Sequence, residues 1–142
     1  MNDTQRAKEL LCAQGSAYTC VLCRGDEILT STKTGIAPMM DFLDSGADLC
    51  GFCAADRIVG KAAAMLFVLA GVREVYAEVI TDEAIRILSE RRIGVSFSQK
   101  VPMIINRMGS GPCPMEATVK NLECPQKARE EIRKTMLRLS KK

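Results

Sequence analysis

The stretch AADRIVGKAAAMLFVLAG, residues 54–71, decides the fold of this chain. From about Ile58 to Ala70 it is apolar on every side of a helical projection, and Gly71 is suited to end a helix. The pattern therefore predicts a helix that is covered on most of its sides. Lys61 is the exception, because a cation in the first turn opposes the helix dipole and a buried ammonium group is costly unless it is paired.

Strand-like and helical runs alternate on both sides of this predicted helix. β-Prone runs occupy residues 18–23, 27–31, 74–80 and 93–99, with a hairpin turn at 24–26 and a short extended run at 48–53. Further helical patterns begin at residue 3 with Asp3 as the cap, near Pro38, after Thr81, and near Pro114 and Pro125. The alternation predicts one α/β domain over residues 1–142, with a mixed sheet and helices on both faces.

Composition narrows the class of protein. With 142 residues, 47% of them apolar and 26% charged, the chain is long enough for a sizeable core and ordinary for a soluble domain. A net charge of +3 with only 4% aromatic residues gives no strong nucleic-acid signal. The start has no apolar leader and the most apolar run, 62–70, is too short to span a bilayer, so we expect a cytoplasmic protein with no membrane partner.

The chain contains no histidine, and this excludes several chemistries. Ser-His-Asp and Cys-His catalysis, histidine acid–base steps and metal sites with an imidazole ligand all require that residue. The seven cysteines are an odd number, which for a cytoplasmic chain predicts free thiols.

Two cysteine pairs, Cys20/Cys23 and Cys50/Cys53, have the spacing of a four-cysteine zinc site. The first pair lies in a strand-like run, where residues three apart point to opposite faces. We therefore favour buried thiols and expect no metal, with a structural zinc site as the alternative.

The pair Gly60-Lys61 is similar to part of a phosphate-binding loop, but the glycine five residues earlier and the following Ser or Thr are missing. Two interpretations remain for Lys61. Its head group extends to solvent or pairs with Asp56, or it forms an anion site with the helix N-terminus, where Gly60 allows close approach of a ligand.

A second polar cluster runs from Asn106 to Glu116. Ser110 lies between two glycines whose backbone N–H groups can hold an anion, and Arg107 is a bidentate donor for carboxylate or phosphate. Cys113 precedes a predicted helix start and is the best candidate for a nucleophile. The alternative is a plain turn followed by a helix whose dipole Glu116 complements.

The motifs VGKAAA and CPME, within residues 17–116, resemble the bacterial and archaeal domain-of-unknown-function family 1893. The resemblance implies a cytidine deaminase-like fold, a three-layer α/β/α sandwich. Zinc deaminases carry a His- or Cys-x-Glu motif and a Pro-Cys-x-x-Cys motif at two helix starts. The corresponding positions here, 60–62 and 81–84, lack the ligands and the glutamate, which implies a deaminase-type scaffold without its zinc site.

The leading hypothesis is a protein that binds a small anionic or nucleotide-like ligand at helix N-termini around Lys61, with no cofactor. Whether it is an enzyme stays open, with Lys61 or Cys113 as possible nucleophiles. The alternatives are a non-enzymatic interaction module that forms a homodimer, or a domain stabilised by a four-cysteine zinc site. The predicted ligand-binding residues are Asp56, Gly60, Lys61, Asn106, Arg107, Ser110, Cys113 and Glu116.

Overall fold

Helices and strands alternate along the chain in a computed structural model that describes residues 2–105, 109, 111 and 113–140. The strands are β1 (Cys20–Arg24), β2 (Glu27–Ser31), β3 (Cys53–Val59), β4 (Glu74–Thr81) and β5 (Gly94–Val101). The helices are α1 (Asp3–Cys12), α2 (Ala37–Asp44), α3 (Lys61–Ala70), α4 (Asp82–Glu90), α5 (Pro114–Val119) and α6 (Pro125–Ser140).

The five strands form one mixed sheet in the order β2-β1-β3-β4-β5. β1 runs antiparallel to β2 and β3, whereas β3, β4 and β5 are parallel and are joined by α3 and α4. The predicted α/β class with a mixed sheet and helices on both faces is confirmed.

The central strand β3 corrects the prediction for this part of the chain. We expected a helix from about Ile58, but the strand extends from Cys53 to Val59 and the helix begins at Lys61. Residues 53–56 are buried because β3 lies between β1 and β4 with helices on both faces of the sheet. A strand buried on both faces lacks the apolar–polar alternation by which strands are recognised.

The two faces of the sheet carry different cores. Val21, Cys23 and Ala55 pack with Tyr76 beneath α1. Cys20, Leu22 and Ala54 belong to the larger core on the opposite face, which also contains the buried side chains of α3. α3 contacts β3, α4, α5 and α6, so the prediction of a helix covered on most sides is confirmed.

Local signals set several element ends. The hydroxyl of Thr81 accepts a hydrogen bond from the N–H of Ala84 (3.1 Å) and caps α4, as predicted. For α1 the cap is Asn2 rather than Asp3, because Asn2 and Gln5 exchange side-chain to backbone hydrogen bonds in a capping box.

Within the described residues, no helix has both the length and the apolar character needed to cross a membrane.

Candidate functional site

The start of α3 is capped by a carboxylate from another helix. The N–H of Lys61 donates to Oε1 of Glu116 at 2.7 Å, and the N–H of Ala62 donates to Oε2 at 2.9 Å. Glu116 lies in the first turn of α5, so its carboxylate joins two helix starts. The negative group at this N-terminus is therefore a side chain of the protein, whereas the sequence predicts a ligand anion in this position.

Gly60 provides the space for this carboxylate. Its backbone is extended (φ −104°, ψ −170°), a conformation open to any residue, so backbone freedom does not require glycine here. A Cβ atom would instead lie 2.2 Å from Oε1 of Glu116 and 2.6 Å from Cδ1 of Ile104. The sequence predicts close approach at Gly60, and what approaches is the Glu116 side chain.

The ammonium group of Lys61 pairs with a residue that the sequence did not single out. Its side chain is 5% exposed, and Nζ lies 2.8 Å from Oε2 of Glu123 and donates to the carbonyl of Lys120 at 3.1 Å. The expected partner Asp56 does not pair with it. Hydrogen bonds from Lys61, and then from Arg86, lower the pKa of Glu123 to about 2.

A cavity of about 670 Å³ opens beside the start of α3. The end of β3, the starts of α3 and α5, the C-terminal half of α6 and the segment before α2 surround it. Its wall is mostly apolar, with side chains that include Ile36, Ile58, Ile104, Met115, Met136 and Leu139.

Asp56 lines this cavity from β3 and is 7% exposed. Its Oδ1 accepts a hydrogen bond from the N–H of Arg57 (2.8 Å), and Oδ2 has no hydrogen-bond partner among the described residues. Burial raises the pKa of Asp56 to about 8, and the backbone hydrogen bond and charge of Arg57 offset this only in part. The carboxyl group can therefore hold or release a proton near neutral pH.

The guanidinium group of Arg57 does not pair with Asp56, although the two residues are adjacent in sequence. It donates to the carbonyls of Leu11 (2.7 Å) and Tyr18 (3.1 Å) and forms an ion pair with Glu78 at 2.7 Å. Successive side chains of a strand point to opposite faces, so Arg57 serves the face covered by α1 while Asp56 faces the cavity.

Cys113 also borders the cavity and is the residue immediately before α5. Its N–H donates to the carbonyl of Ile104 at 3.0 Å, and its carbonyl accepts from the N–H of Ala117. The backbone of Cys113 is thus fixed on both sides, and its thiol is partly accessible.

The structure brings four of the predicted site residues to one cavity: Asp56, Gly60, Cys113 and Glu116. Lys61 follows Gly60 but its ammonium group is held by Glu123 and Lys120. Asn106, Arg107 and Ser110 lie outside the described residues. The apolar wall was not predicted as part of the site, because isolated isoleucine, leucine and methionine residues look the same in sequence whether they line a cavity or a core.

The cysteine arrangement contradicts the zinc alternative. Cys20 and Cys23 belong to cores on opposite faces of the sheet and cannot share a metal ion. Among the described residues, no group of three or more Cys, Asp or Glu is placed to hold one. All seven cysteines are free, and three of them (Cys12, Cys50 and Cys124) are exposed, so fewer are buried than expected.

Comparison with known proteins gives one family. A family model described as "Domain of unknown function (DUF1893)" matches residues 6–136. A crystal structure of a DUF1893 family protein from Thermotoga maritima is similar over 100% of this chain and 92% of that chain, with 25% sequence identity and a TM-score of 0.78. The comparison with curated proteins gives no match.

The family resemblance found from the motifs is therefore confirmed, whereas the deaminase-like fold that it implied stays a prediction. Because the family model covers most of its length, this chain belongs to the DUF1893 family.

Proposed function

We propose that this protein binds a small, flat, nucleotide-like ligand in the cavity beside α3. The observation that supports the proposal most directly is Asp56, a buried carboxyl group in a mostly apolar cavity, one of whose oxygens has no hydrogen-bond partner among the described residues. Ligand sites of this kind combine apolar walls with a few polar groups, and about 300–1,000 Å³ is their usual size. A buried titratable group with a shifted pKa is also typical of functional sites.

The described residues favour the heterocyclic base of a nucleotide-like ligand over a bare anion. Glu116 already occupies the N-terminus of α3, and a second negative group would have to displace it. Asp56 adds a further acid to the same cavity. A heterocyclic base, by contrast, has flat apolar faces and edge N–H groups that match apolar walls and a carboxyl group.

The test is a screen of nucleosides, nucleotides and similar metabolites by two-dimensional ¹H–¹⁵N NMR. A ligand of the cavity is expected to shift the amide signals of Asp56, Ile58 and Gly60. Ile58→Trp is a suitable blocking variant, since Ile58 lines the cavity but is 51% exposed and can be enlarged without disturbing the core. Leu137→Trp is the control, because Leu137 is 55% exposed on α6 and does not line the cavity.

Binding that survives Leu137→Trp and is lost in Ile58→Trp would support the proposal. The proposal fails if no compound shifts the cavity signals, or if the blocking variant binds the same compounds with unchanged affinity.

The open edge of β5 supports a second candidate function, the expected homodimer. Within the described part of the chain, β5 has a strand neighbour only in β4. Phe97 is 43% exposed, and Lys100, the one charged residue of the strand, pairs with Asp82 at 3.3 Å. Two β5 strands in antiparallel pairing would extend the sheet across a two-fold axis. Light scattering measures the mass of the protein in solution. A wild-type dimer that Ser98→Pro converts to a monomer would support this function, and a wild-type monomer would oppose it.

A further inference from the structure

We infer that the ligand of the cavity presents a cationic N–H group, of the amidinium or protonated amine class, and that Asp56 is its counter-ion. The inference rests on the proposed function, since it specifies the chemistry of the ligand for the same cavity. Three observations carry it: the charge of the described lining residues, the burial of Asp56, and a carboxyl oxygen of this cavity-lining side chain that has no hydrogen-bond partner among the described residues.

The charged groups at the cavity are mainly acidic. Of the described lining residues, Asp56 and Glu116 are acids and Arg57 is the one base. The guanidinium group of Arg57 is bound by Glu78 and two backbone carbonyls on the other face of the sheet. Glu116 is satisfied by two backbone N–H groups. Among these three described residues, Asp56 is therefore the one that can still form a hydrogen bond or ion pair with a ligand.

The surroundings of Asp56 favour a ligand with a positive charge. Its hydrogen bond to the N–H of Arg57 occupies Oδ1, while Oδ2 has no hydrogen-bond partner among the described residues. An ionised carboxylate in an apolar cavity is costly when alone and is stabilised by an opposite charge that also donates hydrogen bonds. An amidinium group fits this need because it carries its charge on a planar set of N–H donors.

Proton linkage follows from the same arrangement. The groups near Asp56 are Cys20 on β1, Arg57 on its own strand, and Cys113 and Glu116 on the α5 side of the cavity; the described lining residues of α3 and α6 are uncharged. Burial keeps Asp56 protonated in the empty protein up to about pH 8. A cationic ligand pairs with the ionised form, so its binding releases one proton below that pH. Its affinity then rises by up to ~10-fold per pH unit and levels off above the pKa.

The experiment uses three probes of one shape and different charge: 2-naphthamidine, 2-naphthamide and 2-naphthoate. Affinities are measured by calorimetry at pH 6, 7 and 8 in buffers of different ionisation enthalpy, which also counts the protons released. The amidine is expected to bind at least ~10-fold more tightly than the carboxylate at pH 8, with close to one proton released at pH 6. Asp56→Asn should reduce the preference to less than ~3-fold and abolish the proton release, since the amide cannot ionise.

Asp26→Asn is the matched control, because Asp26 is exposed in the turn between β1 and β2 and does not line the cavity. It should leave the affinities and the proton count unchanged. Ile58→Trp, which leaves Asp56 itself in place, reports whether the probes occupy the cavity at all.

The outcomes separate the inference from the proposed function. Equal binding of the three probes, or tightest binding of the carboxylate, overturns the inference; if Ile58→Trp weakens that binding, the cavity remains a ligand site. Amidine binding that persists in Asp56→Asn also overturns the inference. If no probe binds, the inference fails, and the metabolite screen alone decides the proposed function.

Discussion

A Cβ atom added to Gly60 would lie 2.2 Å from Oε1 of Glu116, and this closeness ties the start of α3 to α5. The carboxylate cannot move aside freely, because it accepts hydrogen bonds from the N–H groups of Lys61 and Ala62. Glu116 thereby supplies the cap that Gly60, with no side chain, cannot supply.

Gly60→Ala should lower the free energy of unfolding by about 1–3 kcal/mol through loss of the Glu116 hydrogen bonds. Chemical denaturation measures the change. The matched control is Gly111→Ala, where a Cβ atom meets no atom of the described residues within 4 Å. A double-mutant cycle sharpens the result: in a Glu116→Ala background, Gly60→Ala should cost less, because the oxygen that it would strike is gone. Equal costs in both backgrounds would contradict the steric explanation.

Glu116→Ala should itself cost about 1–3 kcal/mol, because it leaves two backbone donors at the start of α3 without their acceptor. Glu130→Ala on α6 is the control, since Glu130 is exposed and has a single weak ion pair at 3.9 Å. Hydrogen exchange should show faster exchange of the Lys61 and Ala62 amides in the first variant only. Unchanged protection of these amides would mean that Glu116 does not cap α3.

Lys61→Met should change the free energy of unfolding by less than about 1 kcal/mol, despite the burial of Lys61. Its partner Glu123 is 62% exposed and keeps its ion pair with Arg86, so the substitution strands no buried charge. The methionine also removes a cation from the first turn of α3. Urea denaturation provides the measurement, with Lys134→Met on the exposed face of α6 as the control.

The same variant separates the two explanations of Lys61. Because its ammonium group is held by Glu123 and Lys120, Lys61→Met should leave binding of a cavity ligand within ~2-fold of wild type. A loss of binding with stability unchanged would instead support the ligand-anion site that the sequence suggests.

The sequence predicts α3 and the unusual position of Lys61 but not the partners of either. An apolar helix with a lysine in its first turn is visible in one short segment, whereas Glu116 and Glu123 approach from a distant part of the chain. The charged groups of Asp56 and Arg57 are adjacent in sequence but do not pair, because successive side chains of a strand point to opposite faces. This separation can be predicted only when residues 53–59 are recognised as a strand. Burial of β3 on both faces removes the apolar–polar alternation that would reveal a strand there.

The cysteines should react in an order set by burial. Cys12, Cys50 and Cys124 are exposed and should be alkylated first in the native protein, Cys113 more slowly, and Cys20 last. Burial raises the pKa of the Cys20 thiol well above its ordinary value, with the nearby Asp56 as a second cause, so its thiolate fraction is very small. Timed alkylation with peptide mapping gives the order. Early labelling of Cys20 would contradict the packing of β1, and a cavity ligand should slow labelling of Cys113 relative to Cys124.

The raised pKa of Asp56 predicts a stability that falls as pH rises. The folded protein keeps this proton up to about pH 8, whereas the unfolded chain loses it near the ordinary value of 3.8, so between these limits the native state binds the extra proton. Stability therefore decreases with rising pH by at most about 1.4 kcal/mol per unit, and the loss levels off above pH 8. Urea denaturation at pH 6, 7 and 8 should show this slope in wild type and in Asp26→Asn, and Asp56→Asn should lack the Asp56 contribution. The upper limit of pH 8 keeps the titration of Cys20 out of the measurement. If the slope of Asp56→Asn equals that of wild type, Asp56 is already ionised in the folded protein and its carboxylate has a partner other than Arg57.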